Sequence, residues 1–462
     1  GWANLRSSTS YTDAENSIRQ DTTQSYGVVD PTDVLSPGTY PGFSQGNYSD
    51  AFYDFEFTQY YQEFQLSNGD DSPIDWLVGL NYFYEEAEDK NRSRVWYRDP
   101  ALEPIPPPFG GCSLGVCDFN TVPQFSKKQE RDTTSYSIFG LIGFNLTDTL
   151  KLTLEGRLIY DEVDIEGSTT DQLANVLAPP DFAFDPDAPS FDDDVDDTNF
   201  VPRASLDWLL TDNVLFYTSV AKGIKPPTYN STDIFDPVIQ RVGREKLWTY
   251  EVGSKTQWLE NKLTVNTALY YNDYKDQQTR VQFPAPPGGF LPVSGTVNAG
   301  DTDVWGFELD STWRITDHWT TGFNYAYTNS EYDDLNLTEE SPLDENGDIF
   351  LSNSEIVKAG NLEADFSGND TPGVPDHAFS LFGQYTNNLT ADVEWYTQAT
   401  WIWQDERYAD AANLVTLESY SLVNGQIGIQ TDTWLAAFYV ENLFDDDTVR
   451  FAQEFIDQKE GI

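Results

Sequence analysis

The 462-residue chain has no methionine, two cysteines (Cys112 and Cys117) and two histidines (His318 and His377). With no Met at its start, it is expected to be cut or processed from something longer. Two thiols cannot complete a tetrahedral zinc site, so no metal centre is expected. A Ser-His-Asp arrangement has equally little to build on, because His318 falls in a tight turn and His377 follows a Pro-bounded loop. No glycine-rich phosphate loop occurs either, so neither an enzyme nor a cofactor is the expected reading. No window reaches about eighteen consecutive apolar residues, which excludes a helical membrane protein. Cations are also scarce: 26 Lys plus Arg stand against 77 Asp plus Glu, and the net charge of −51 repels a polyanion, so nucleic acid is not expected as a partner.

Aromatic residues are abundant. They make up 15% of the chain, which separates it from a disordered acidic polypeptide, since such chains are poor in aromatics. The dominant pattern is alternation with period two, in segments of about ten residues, the length of a tilted membrane-crossing strand. Trp319, Thr321, Phe323, Tyr325 and Tyr327 point one way, and Thr320, Gly322, Asn324 and Ala326 the other. The same pattern fits 74–84, 150–160, 263–272, 305–315 and 393–403.

Alternation alone fits a soluble sandwich as well as a barrel. The connections decide. Short polar turns at 68–73, 147–148, 211–213, 260–261, 316–317, 387–388 and 431–433 alternate with long irregular stretches at 15–51, 86–130, 164–197, 225–246, 275–300, 331–374 and 406–416. A transmembrane barrel has this alternation, with short turns on the periplasmic side and long loops outside. Tryptophan placement agrees: Trp76, Trp208, Trp258, Trp313, Trp319, Trp395 and Trp434 lie near short turns, while Trp248, Trp305, Trp401 and Trp403 lie near long loops. These are the two aromatic girdles of a barrel. The expected fold is an all-β, transmembrane antiparallel β-barrel wall of fifteen or sixteen strands.

Several stretches resemble TonB-dependent outer-membrane receptors. VPRASLDWLLTDNVLFYTSVAKGIKPPTYN (201–230), YEVGSKTQWLENKLTVNTALYYNDYKDQQ (250–278), NAGDTDVWGFELDSTWRITDHWTTGFNYAYTNSEYDD (298–334) and YVENLFDD (439–446) occur in the family's order. The resemblance implies that residues 1–462 are part of a 22-stranded barrel, with an N-terminal plug domain and TonB-contacting segment outside this sequence. It also implies a bacterial outer-membrane location, contact with lipid and lipopolysaccharide, and energy supplied through the TonB complex. Active uptake of a scarce nutrient, first a ferric siderophore, is the implied function. The alternative is a passive sixteen-stranded porin.

Candidate ligand residues cluster in sequence at the loop bases: Tyr229, Tyr270, Tyr274, Arg280, Phe283, Arg407 and Tyr408. Arginine beside aromatics suits an anionic, partly aromatic metal chelate; ordinary girdle or loop packing is the alternative. Alternation places Lys151, Glu155, Arg157, Glu251, Lys255, Glu308, Asp310, Arg314 and Glu394 in the lumen, as a cross-strand ion-pair ladder or a docking surface. Cys112 and Cys117 are expected to form a small disulfide in an oxidising exterior. Asp344, Asn346, Asp348, Ser352 and Glu355 have calcium-loop spacing, but Ile349 stands where that loop needs glycine, so coincidence is preferred. The FDDDVDD run (191–197) reads as solvated acid.

Overall fold

The computed structural model describes residues 2–21, 47–69, 72, 74–97, 112–113, 116–117, 124–171, 191–230, 241–283, 293–338, 363–411, 413 and 415–451. Fifteen strands form one antiparallel path in chain order among these residues. They are β1 (Ala3–Asp21), β2 (Asn47–Asn68), β3 (Asp75–Tyr97), β4 (Gln124–Asn145), β5 (Leu150–Asp171), β6 (Phe191–Thr211), β7 (Val214–Lys225) and β8 (Glu245–Trp258). The path continues through β9 (Leu263–Phe283), β10 (Val293–Arg314), β11 (Trp319–Thr338), β12 (His377–Asn388), β13 (Glu394–Gln404), β14 (Tyr420–Gln430) and β15 (Leu435–Val440). Glu363–Asp365 adds a short strand beside Asn336–Thr338. The seven short turns all join neighbours at one end of the sheet, the β12–β13 turn lying at 389–393, just beyond the expected 387–388.

Most large apolar side chains face outward. Leu80 and Phe200 are each 56% exposed, which in water would be costly and in a membrane is lipid contact. Register turns this into layers. Ser7, Phe64, Leu80, Ile138, Leu158 and Phe200 occupy one row across β1–β6. Tyr82, Tyr136 and Tyr160 form the next row up, and Tyr11, Tyr60 and Tyr84 the row above. Trp305 and Tyr327 continue the upper girdle with ring centroids 5.2 Å apart, while Trp319, Tyr385 and Trp395 carry the lower one.

Strands continue beyond the girdle, which corrects the loop reading. Residues 15–21, 47–51, 86–97, 124–130, 164–171, 191–197, 275–283, 293–300 and 331–338 were expected to be irregular and are strand. Alternation persists there, but the outward residues change from apolar to acidic. Glu15, Glu56, Glu88, Glu130, Glu166 and Asp192 form one register row across six strands. The FDDDVDD run is therefore part of β6, with Asp192, Asp194 and Asp196 opposite Glu166, Asp164 and Glu162. Its alternate residues Val195 and Asp197 are buried against the inner side. The 339–362 segment with the calcium-like spacing lies outside the described residues.

Candidate ligand vestibule

Inward-facing residues build the site. Tyr270, Asn272 and Tyr274 alternate along β9 on the face opposite exposed Leu269 and Tyr271. Tyr270 Oη lies 3.1 Å from Thr328 Oγ1, two strands away. Burial raises the pKa of Tyr274, with Glu245 adding to the shift, so its hydroxyl remains a neutral hydrogen-bonding group.

The connection from β7 to β8 folds inward. Thr228–Tyr229 pairs with Arg241–Val242, and Tyr229 joins Val163, Ile165 and Val195 in a small core against β5 and β6. Burial, followed by Asp193, pushes the Tyr229 hydroxyl pKa well up. This inward strap is held from two sides. Arg244 Nη2 is 2.5 Å from Asp197 Oδ1, and Arg244 also donates to Asn199 on β6. Towards β9 and β10, Asn230 Nδ2 donates to the Thr296 carbonyl at 2.6 Å, Asn298 Nδ2 to the Gly243 carbonyl at 2.9 Å, and Gln278 Nε2 to the Pro226 carbonyl at 2.9 Å. These residues carry no pattern in the sequence beyond one signal, the apolar Val195 within the acidic run 191–197.

The seven candidate residues fall into separate groups. Tyr270 and Tyr274 share the inner face of β9, and Tyr229 belongs to the strap core. Arg280 and Phe283 lie on upper β9, with side chains outside the described residues. Arg407 and Tyr408 form a two-residue strand paired with Thr416–Leu417. Arg407 Nη2 donates to the Arg450 carbonyl at 2.6 Å, while its Nη1 is out of solvent with no hydrogen-bond partner among the described residues. A guanidinium nitrogen left so is uncommon and suits an added acceptor. Nearby, Asn413 adopts φ 58°, and its side chain clamps Asp370 through the Asp370 N–H at 2.8 Å and carbonyl at 2.9 Å.

The expected lumen charges lie on the inner face but form only a partial ladder. Lys151 Nζ reaches Asp75 Oδ2 at 2.6 Å, passing over Gly143 on the intervening strand. Arg203 lies 3.7 Å from Glu155. Arg157 instead donates to Ser137 at 3.0 Å and Asn81 at 3.3 Å, and Lys255 sits over the Tyr217 ring. Asp310 accepts from Asn266 at 3.1 Å, and Glu394 from Gln430. Cys112 and Cys117 stand opposite each other in a two-residue antiparallel ladder.

An apolar exterior between two aromatic tiers, with a polar inner face beneath an inward-folded connection, defines the wall of an outer-membrane β-barrel protein. The family model described as "TonB dependent receptor-like, beta-barrel" matches residues 1–443, so the chain belongs to that family. The pesticin receptor of Yersinia pestis is 24% identical over 330 residues, 71% of this chain and 42% of that protein. The ferric yersiniabactin uptake receptor FyuA from Yersinia pestis superposes with TM-score 0.61 at 19% identity, over 87% of this chain and 51% of that one. The siderophore receptor PiuA from Acinetobacter baumannii gives 0.58 at 16% identity, over 97% and 62%. At these identities the structural likeness shows the fold. The chain spans less than half the length of the curated relatives it matches. As a family member, it is a protein of the Gram-negative outer membrane.

Proposed function

We propose that this chain is the membrane wall of a receptor for TonB-dependent uptake of a ferric siderophore, with a plug supplied by an N-terminal region of the whole protein. The supporting observation is the family match over residues 1–443 to receptors whose relatives are described as siderophore or ferric-ligand receptors. The reading is of a transporter, not an enzyme. A 22-stranded barrel, of which this sheet would be part, encloses a lumen too wide for its own side chains to fill, so passage requires only that an occupant move aside. The ligand enters from the end of the sheet opposite the short turns, past the strap residues Thr228–Tyr229 and Arg241–Val242. Tyr270 and Tyr274 offer rings and hydroxyls, and Arg407 with Arg280 offers charge to an anionic chelate. Energy must arrive through TonB, because the outer membrane lies apart from ATP and from any ion gradient. The test is growth under iron limitation on a panel of ferric siderophores, with and without the gene. Rescue by at least one chelate supports the reading; rescue by none, with general permeability to small solutes instead, favours a passive pore.

A further inference from the structure

The inner face is unevenly charged. From β2 to β10 it carries ion pairs such as Arg131 with Glu85 at 2.9 Å and Lys151 with Asp75 at 2.6 Å, as well as Glu251, Lys255, Glu308 and Asp310. Across β11, β12, β13 and β14 the inward positions are mostly amides, hydroxyls and small or aromatic groups, among them Asn324, Ser380, Gln384, Gln398 and Gln426, with the aliphatic Ile402 and Leu422 between them. Among the described residues, the single charge on this arc is Glu394, next to a short turn and hydrogen-bonded by Gln430. The amides pair loosely along the wall: Asn324 donates to Ser380 at 3.1 Å and Gln426 to the Tyr396 hydroxyl at 2.6 Å, leaving other donors and acceptors for exchange.

The two arcs suit different tasks. A charge-assisted hydrogen bond is roughly twice as strong as a neutral one, so the ionic arc holds what docks on it and would trap a charged solute. Neutral hydrogen bonds contribute about 0.5–1.5 kcal/mol net each, and passage requires contacts that are easily exchanged. We infer that the solute path follows the uncharged arc of β11–β14, and that whatever occupies the lumen of the whole receptor docks on the ionic arc. This assignment rests on the uptake reading for its solute, but not for its geometry.

Thiol scanning of the full-length receptor in intact cells tests it. Single cysteines are placed in a C112S/C117S background at Ser380 or Gln398 on the uncharged arc, and at Ser135 or Ser219 on the ionic arc. A small charged methanethiosulfonate reagent reports access; a bulky maleimide then reports blockage. Ser380→Cys and Gln398→Cys are expected to react about tenfold faster than Ser135→Cys and Ser219→Cys. Their maleimide adducts are expected to cut ferric-chelate uptake about tenfold, with surface binding retained, while the ionic-arc adducts change it less than about twofold. Equal or reversed reaction rates overturn the inference. If no chelate is taken up by the unmodified receptor, the uptake reading fails, and the reaction rates still decide the path.

Discussion

Tyr270 on β9 and Thr328 on β11 lie 3.1 Å apart through their hydroxyls because the residue between them, on β10, is Gly306. A Cβ there would meet Tyr270 Oη at 2.5 Å and would also press on the Tyr327 carbonyl. Gly306→Ala is therefore expected to cost about 1–3 kcal/mol as overpacking. Tyr270→Ala in the same chain should recover only part of this, since the carbonyl contact remains. Denaturation midpoints of the single and double variants measure the coupling; full additivity would contradict the contact.

Arg244 joins the strap to β6. Its removal leaves Asp197, 7% exposed, without its cation. The Arg244 side chain is 36% exposed, so Arg244→Ala is expected to cost about 1–2 kcal/mol, below the range for a fully buried pair. The effect should be confined to the upper end: hydrogen exchange should quicken at Thr228–Tyr229 and Arg241–Val242 while β9 below the girdle keeps its protection. Unchanged exchange in the strap would show that the pair holds nothing.

The acidic rows above the girdle set an ionic-strength dependence. Directly opposed like charges on neighbouring strands are destabilising by about 0.2–1 kcal/mol per pair, and Glu166–Asp192, Asp164–Asp194 and Glu162–Asp196 are three such pairs. Among the described residues, Lys90 and Lys128 relieve the row near Glu56, Glu88 and Glu130. The thermal midpoint in detergent should rise with sodium chloride over the range where the screening length falls to about 10 Å and below. A midpoint indifferent to salt would contradict the assignment of these carboxylates to one outward face.

Protonation acts in the same direction. Burial raises the Asp132 pKa above its ordinary value, with Glu86, Asp164 and Glu130 contributing. The folded state thus binds a proton more readily than the unfolded one, and the ionised form carries a penalty at neutral pH that is relieved as pH falls through the raised value. Asp446 is opposite: hydrogen bonds from the Ser421 and Thr448 N–H groups and the Thr448 hydroxyl lower its pKa, so its contribution is lost only below the ordinary carboxylate range. Between neutral pH and that range, acidification should raise the midpoint, and Asp132→Asn should flatten the rise. A fall in stability over that window would count against the crowding.

How much of this was legible beforehand depended on which property carried the signal. The membrane-crossing strands were readable because lipid demands apolar residues at every second position, as along Trp319 to Tyr327. The strand ends above the girdle were not, since at Glu162–Glu166 and Asp192–Asp196 the outward residues are acidic and mimic a solvated loop. Periodicity was still there, in Val163, Ile165 and Val195. The strap was hidden for a different reason: Arg244, just before β8, meets Asp197 on β6 past the intervening β7, a contact that no local pattern encodes. Tyr229, a ligand candidate in the sequence, sits beside Val163 in the strap core, and no local pattern tells binding aromatics near loops from packing ones.

Cys112 and Cys117, opposed in their short ladder, are expected to be disulfide-bonded outside the membrane. Mass spectrometry after alkylation without reductant should find both blocked by their bond. Cys112→Ser with Cys117→Ser should leave assembly of the wall intact, because backbone pairing in the membrane does not involve this ladder. Free thiols in the secreted-side protein would contradict the bond.

The central claim is energised uptake, and the most direct measurement is the initial rate of radio-iron accumulation from a ferric siderophore in cells carrying the whole receptor, with and without TonB. Binding at the surface should be the same in both. Accumulation should require TonB, falling to the level of receptor-free cells when it is absent. Accumulation that continues undiminished without TonB would contradict the account and identify the wall as a passive pore.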